Sequence, residues 1–403
     1  MAVLWLIGCL NLSVFAHPFA DETRAFLLPT LAQNPKGDVV LSWAEKDAKG
    51  MMYFFCAISK DKGKTFSDKK LIFSGAGFGS SRLMRPKLLF KKDGTMVAVF
   101  SHRTEVAAVS QATGEHNHDS KPTASERPKR DLQIVYTTSK DQGNTWTPPQ
   151  PVDIEPRSGI VRGFFDAVVL PNDELAVAYL KDVAGSTKHE ERDLRLAITK
   201  NGLFQPDRVI DAVVCDCCNI SLLVDSKGGL NIYYRDNNDD IRDIAKMTSS
   251  NNGATFSKSQ ILYNDNWQIK GCPHSGATSS LFGESALIAW FSGTNSNTAG
   301  IRVVTHEGKR LFVLESSAKN AYLLPASKSS VLLWEQLKGE ENNTTSIAFR
   351  TITTDGVSET KWIEKSENGT NASGLVVDNQ LMVAYEVKQP NNLNSMKITT
   401  VGL

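Results

Sequence analysis

The chain has 403 residues and carries 45 Lys and Arg against 44 Asp and Glu, a net charge of +1. That balance gives no reason to expect nucleic acid or another polyanion as partner. Length alone allows two or three domains. Short alternating apolar runs between Gly, Asn, Asp and Ser clusters outnumber helical patterns, so the chain reads as all-β.

Residues 1–20 are apolar from Ala2 to Leu12 and end in small residues, with cleavage contexts at Val14-Phe15-Ala16 and Pro18-Phe19-Ala20. They read as a secretory signal peptide, which predicts an exported protein, periplasmic or extracellular. Leu6-Ile7-Gly8-Cys9 also matches a bacterial lipobox, which makes a lipid anchor at Cys9 an alternative. No later segment approaches the roughly 20 apolar residues of a membrane span.

From residue 21 to 403 one phrase recurs: an apolar strand, a small turn, a second apolar strand. It opens seven units, at Leu27, Lys87, Ala167, Ile220, Gly276, Tyr322 and Ala372. Their spacing of roughly 45 residues is that of four-stranded antiparallel units. The last unit shows only three strands. Its fourth would have to come from residues near Phe19 to Arg24, closing a ring.

A second repeat lies within the units. Ser139-Lys140-Asp141-Gln142-Gly143-Asn144-Thr145-Trp146 matches Ser59 to Phe66, and Ser249 to Phe256 repeats it with Asn251 in place of Asp. An Asp or Asn that bonds nearby amides, followed by a Gly free to take positive φ, makes a tight turn without outside help. The final aromatic ring then pins the turn to its sheet. Each copy follows one strand and precedes another.

These turns resemble the Asp-box (BNR) repeats of the sialidase-like β-propellers. The resemblance spans about residues 20 to 400 and implies a single propeller of six or seven blades. It implies further that Asp boxes join the third and fourth strands on one face. Ligands would bind on the opposite face, near the axis. Inner-strand starts place Arg82, Arg85, Arg162, Asp166, Cys217, Cys218, Asn219, Cys272, His274 and Tyr322 there. Second-strand ends add Glu45, His102, Arg103, Asp182, Arg235, Asp236, Glu335 and Glu386. The long loop from Ser101 to about Arg130, with His116 and His118, is of a length that is often functional and reads as a lid.

Cys215-Asp216-Cys217-Cys218 opens the fourth unit and Gly271-Cys272-Pro273-His274 the fifth. Neighbouring inner strands bring the four thiols together, and export predicts disulfides. A vicinal Cys217–Cys218 bond with Cys215–Cys272 is one of three pairings. A metal site with His274 and free thiols are the alternatives. Cys56, in an apolar strand, reads as a buried free thiol. The Cys-Asp-Cys-Cys and Gly-Cys-Pro phrases, with Tyr234-Arg235-Asp236, resemble a subgroup of exported bacterial Asp-box proteins.

Sialidase chemistry needs an arginine clamp for a carboxylate, a Tyr activated by Glu as nucleophile, and an Asp as acid or base. The family's first arginine sits in a Phe/Tyr-Arg-Ile-Pro phrase. Here Phe26-Leu27-Leu28-Pro29 puts Leu27 in its place. Arg85, Arg162, Arg235 and Arg242, with His274, are the replacement substrate-binding candidates. Asp166, Asp236, Tyr322 and Glu335 are the catalytic candidates. The resemblance therefore implies a sialidase-like hydrolase acting on an acidic or modified sugar as a monomer, without cofactor. A non-catalytic carbohydrate-binding propeller is the alternative.

Overall fold

The computed structural model describes residues 19, 23–103, 131–155, 159–186, 191–295, 298–338 and 344–403. Residues 1–18 and 20 of the expected signal peptide, Cys9 among them, and residues 104–130 of the expected lid loop, with His116 and His118, lie outside the described residues. Seven antiparallel sheets follow one another along the chain. Their inner strands start at Ala25, Phe78, Arg162, Ser221, Thr278, Lys319 and Gly369. Inner strands of adjacent sheets pack on one another, and Gly369–Val377 returns to Ala25–Gln33. The fold is therefore a seven-bladed β-propeller, which settles the choice between six and seven.

Each blade is covered on both faces by its neighbours. Its second strand is accordingly apolar on both faces instead of alternating: Val39–Lys46, Leu175–Asp182 and Leu230–Arg235 are buried nearly end to end. Trp43, Trp290 and Trp334 fill these layers with their indoles fully buried. A buried indole N–H needs an acceptor, and each has one: Glu45 at 3.0 Å, Asp265 at 2.7 Å and Gln336 at 2.7 Å.

The seventh blade has three strands, Gly369–Val377, Gln380–Val387 and Ser395–Gly402. The expected fourth strand from Phe19 to Arg24 does not form among the described residues. Phe19 stacks on Trp43 at 4.8 Å instead, in a cluster with Met382 and Met396. The Phe26 amide donates to Asn394 at 2.8 Å. Apolar packing between first and last blades closes the ring where strand exchange was expected.

The three Asp boxes lie between third and fourth strands, as expected. Asp61 accepts from the Thr65 amide at 2.8 Å and from its hydroxyl at 2.6 Å, and Asp141 repeats both bonds with Thr145. Asn251 keeps the amide bond, at 2.9 Å, and donates to the Thr255 hydroxyl. Gly63, Gly143 and Gly253 sit at φ 87°, 82° and 78°, the conformation that glycine adopts without strain. The threonine hydroxyls and amides hold the carboxyls of Asp61 and Asp141 down to about 2. Both folded values lie below the ordinary one. The stability they add is present above pH 4 and is lost as the pH falls toward 2. Acid titration followed by carboxyl NMR should find both groups titrating near pH 2; ordinary values at these two positions would contradict the bonding described.

Candidate functional site

The inner strands do not run straight to the axis. Register breaks lie between Leu27 and Thr30, Gly163 and Asp166, Lys319 and Tyr322, and Thr370 and Ser373. At each, one residue takes positive φ: Leu28, Phe164, Asn320 and Asn371, at 51–55°. Bulges of this kind turn side chains out of a strand. In blade 2 the inner strand is interrupted between Gly79 and Lys87. The intervening segment carries Arg82 and Arg85 to a central cavity of about 120 Å³.

Arg82, Arg85, Lys87, Asp166, Tyr322 and Glu335 all line this cavity. Four of them, Arg85, Asp166, Tyr322 and Glu335, are sequence-predicted site residues, and the inner-strand phase had placed Arg82 on this face. Lys87 was missed. It begins an otherwise apolar strand, and only its pairing with Asp166 at 2.7 Å marks it.

The acidic groups are engaged by the fold. Asp166 accepts from the Leu222 amide of the next blade at 2.9 Å. Glu335 accepts from the Asn371 amide at 2.7 Å, the Thr370 hydroxyl at 2.9 Å and the Asn320 amide group at 2.7 Å. Glu386 accepts from the Leu28 amide at 2.6 Å. Glu335 and Glu386 thus satisfy the amides of Asn371 and Leu28, which the bulges leave without a strand partner.

The two arginines differ in how far the fold engages them. Arg85 donates to the carbonyls of Pro29 at 2.8 Å and Asn371 at 2.9 Å, linking blade 2 to blades 1 and 7. Its guanidinium thereby rests on the backbone just after Leu27, where the family's first arginine is missing. It also lies 5.9 Å from the Tyr322 ring. Burial pushes the pKa of Arg85 down, and Tyr322, Glu386 and Glu335 oppose that shift. Arg82 is exposed in the cavity mouth and makes no hydrogen bond or ion pair with the described residues. The Tyr322 hydroxyl makes no hydrogen bond with them either.

The remaining predicted residues lie elsewhere. Arg162 is fully buried against Asp153, with Nε 2.5 Å from its carboxylate. Arg235 is buried between blades 4 and 5 and donates to the carbonyls of Ser275 and Phe291, both at 2.9 Å. Arg242 pairs with Asp240 at 3.6 Å. Asp236 caps its own turn through the Asn237 amide. None of these four lines the cavity. Packing between blades takes up the side chains of Arg162 and Arg235, and their own turn takes up those of Asp236 and Arg242.

The four clustered cysteines do converge, as thiols. Cys215 Sγ stands 3.5 Å from Cys218 and 3.9 Å from Cys217, well beyond the roughly 2.05 Å of a disulfide. The expected disulfides are not formed. Cys272 and His274 are exposed beside them, and Cys272 donates weakly to Asp216 at 3.8 Å. Cys56 is the buried free thiol expected, pushed by burial up to about 12. No helix among the described residues is long and apolar enough to cross a membrane.

Among solved structures, a protein of unknown function from Dyadobacter fermentans is 14% identical with a TM-score of 0.55, covering 94% of this chain and 95% of its own. An ulvan lyase of a new polysaccharide lyase family is 11% identical with a TM-score of 0.55, covering 94% of both chains. A sialidase from Trypanosoma rangeli is 12% identical with a TM-score of 0.47, and 81% of this chain aligns with 55% of that one. No curated protein matches. The family model described as a BNR repeat-like domain matches residues 121–338, more than half of the sequence. The Asp-box turns, the seven blades and this match agree: the chain belongs to the BNR repeat-like domain family.

Proposed function

We propose that this protein recognises an acidic sugar in the axial cavity, with Arg82 and Arg85 meeting its carboxylate or sulfate. The observation that carries this reading is the pair of guanidinium groups lining one concave site, one of them, Arg82, without a hydrogen bond or ion pair to the described residues. Guanidinium groups offer planar, bidentate donors suited to such anions. An ulvan lyase of the same fold has been solved bound to -[GlcA(1-4)Rha3S]-, an acidic sugar.

Sialidase-like hydrolysis fits the same pocket with Tyr322 as nucleophile, because a neutral phenol meets an anionic sugar without repulsion. Glu335 and Asp166 are the adjacent carboxylates. Their engagement with backbone amides favours the second reading, a glycan-binding propeller without turnover. The N-terminal segment supports export, where such glycans are met.

Calorimetric titration with a glucuronate- or sialate-bearing oligosaccharide and its carboxyl-reduced counterpart tests the proposal. Arg82→Ala should weaken binding of the acidic form by about 1.5–3 kcal/mol, roughly 10- to 150-fold, without altering the melting temperature. Equal affinity for the acidic and neutral forms would overturn the reading. Where turnover is seen, Tyr322→Phe should abolish it while binding persists. Binding without turnover on any acidic glycoside leaves the non-catalytic reading.

A further inference from the structure

The cysteine cluster belongs to neither the cavity nor the Asp boxes. Cys215, Cys217 and Cys218 are 1%, 3% and 2% exposed, in one turn ahead of the inner strand of blade 4. Each offers its sulfur within 4.8 Å of the other two. A cation ringed tetrahedrally by sulfurs about 2.3 Å away would set them about 3.8 Å apart. The 3.5 and 3.9 Å separations found here bracket that value.

A second group shares Cys217. Its sulfur, that of Cys272 and a ring nitrogen of His274 also lie within 4.8 Å of one another. His274 takes φ 49°, which folds the loop back on itself. Its Nδ1 lies 3.1 Å from the Cys272 carbonyl oxygen. A carbonyl only accepts, so Nδ1 carries the proton and Nε2 keeps its lone pair. Metal-ligating histidines are held by their second nitrogen in this way.

We propose that Cys215, Cys217 and Cys218 hold one thiophilic d10 metal ion, zinc(II) or copper(I), with the exposed Cys272–His274 loop supplying the remaining ligand. Thiolate sulfur with imidazole is the donor set such ions select. The ion would staple blade 4 to blade 5 beside the cavity, because Asn219 and Ser275, which directly follow the two ligand groups, both line it. The site is independent of what the cavity binds.

The test uses the full chain, purified anaerobically, with zinc and copper measured by plasma mass spectrometry and free thiols by alkylation. Metal-free protein is then titrated separately with zinc and with copper(I) against a competing chelator. One ion per chain is expected, and the ion held more tightly identifies the resident metal. Cys272→Ser and His274→Ala change exposed residues and leave the core intact. At least one of them should weaken binding about 10- to 100-fold, while Cys56→Ser changes nothing. A disulfide among the four cysteines of the anaerobically isolated chain would overturn the proposal. So would affinity for both ions too weak to compete with the chelator, or metal binding unchanged in both loop variants.

Discussion

Arg85→Ala should lose both the acidic ligand and part of the fold. In the proposed reading its guanidinium meets the ligand, and it also ties three blades, through Pro29, Thr30 and Asn371. Removing it leaves carbonyls of blades 1 and 7 without their donor, and each hydrogen bond to a charged group contributes about 1.5–3 kcal/mol. Loss of a buried charged partner for the ligand adds about 2–5 kcal/mol, or roughly 30- to 5000-fold in affinity. Arg85→Lys keeps the charge and loses the planar fork, so its binding should fall between the two. Denaturant unfolding and calorimetry on the three proteins separate the effects. An alanine variant that unfolds and binds like the natural protein would show that Arg85 does neither job.

The largest effect on stability alone is expected at Asp265. It is 1% exposed, pairs with the fully buried Arg302 and accepts from the Trp290 indole at 2.7 Å. Truncating one partner of a buried pair strands the other charge, at about 3–5 kcal/mol. Asp265→Ala should therefore shift the denaturant midpoint far more than any change at Arg82. Asp265→Asn retains a neutral acceptor for Trp290 and should lie between. Neither Asp265 nor its partners Arg302 and Trp290 line the cavity, so ligand affinity of the folded Asp265 variant should be unchanged. A midpoint equal to that of the natural protein would mean that Arg302 finds enough support in the Gly300 and Thr298 carbonyls.

Much of the fold was legible because its signals are local. Ser139 to Trp146 carries its whole turn within eight residues, so the pattern predicts both the bonds and the place between strands. The blade phase was legible too, since Val39 to Trp43 and its counterparts are apolar on both faces. The direction of single side chains was not. Arg162 and Arg235 stand at the expected strand ends, yet their guanidinium groups turn into gaps between blades where Asp153 and the Ser275 carbonyl await them. The roles of Glu335 and Glu386 depend on bulges in the inner strand of the following blade, whose unpaired amides no local pattern marks. Lys87 could not be singled out for the same reason: its partner Asp166 is remote in sequence and belongs to another blade. Loss of the arginine at Leu27 was visible, but not that Arg85 reaches the same backbone from the neighbouring blade.

A crystal structure of the protein with a bound uronate- or sialate-bearing oligosaccharide tests the central claim most directly. The acidic group should lie within hydrogen-bonding distance of Arg82 and Arg85, with the sugar over Tyr322. An oligosaccharide seated on the Asp-box face, or in the cavity with its acidic group turned away from both arginines, would contradict it.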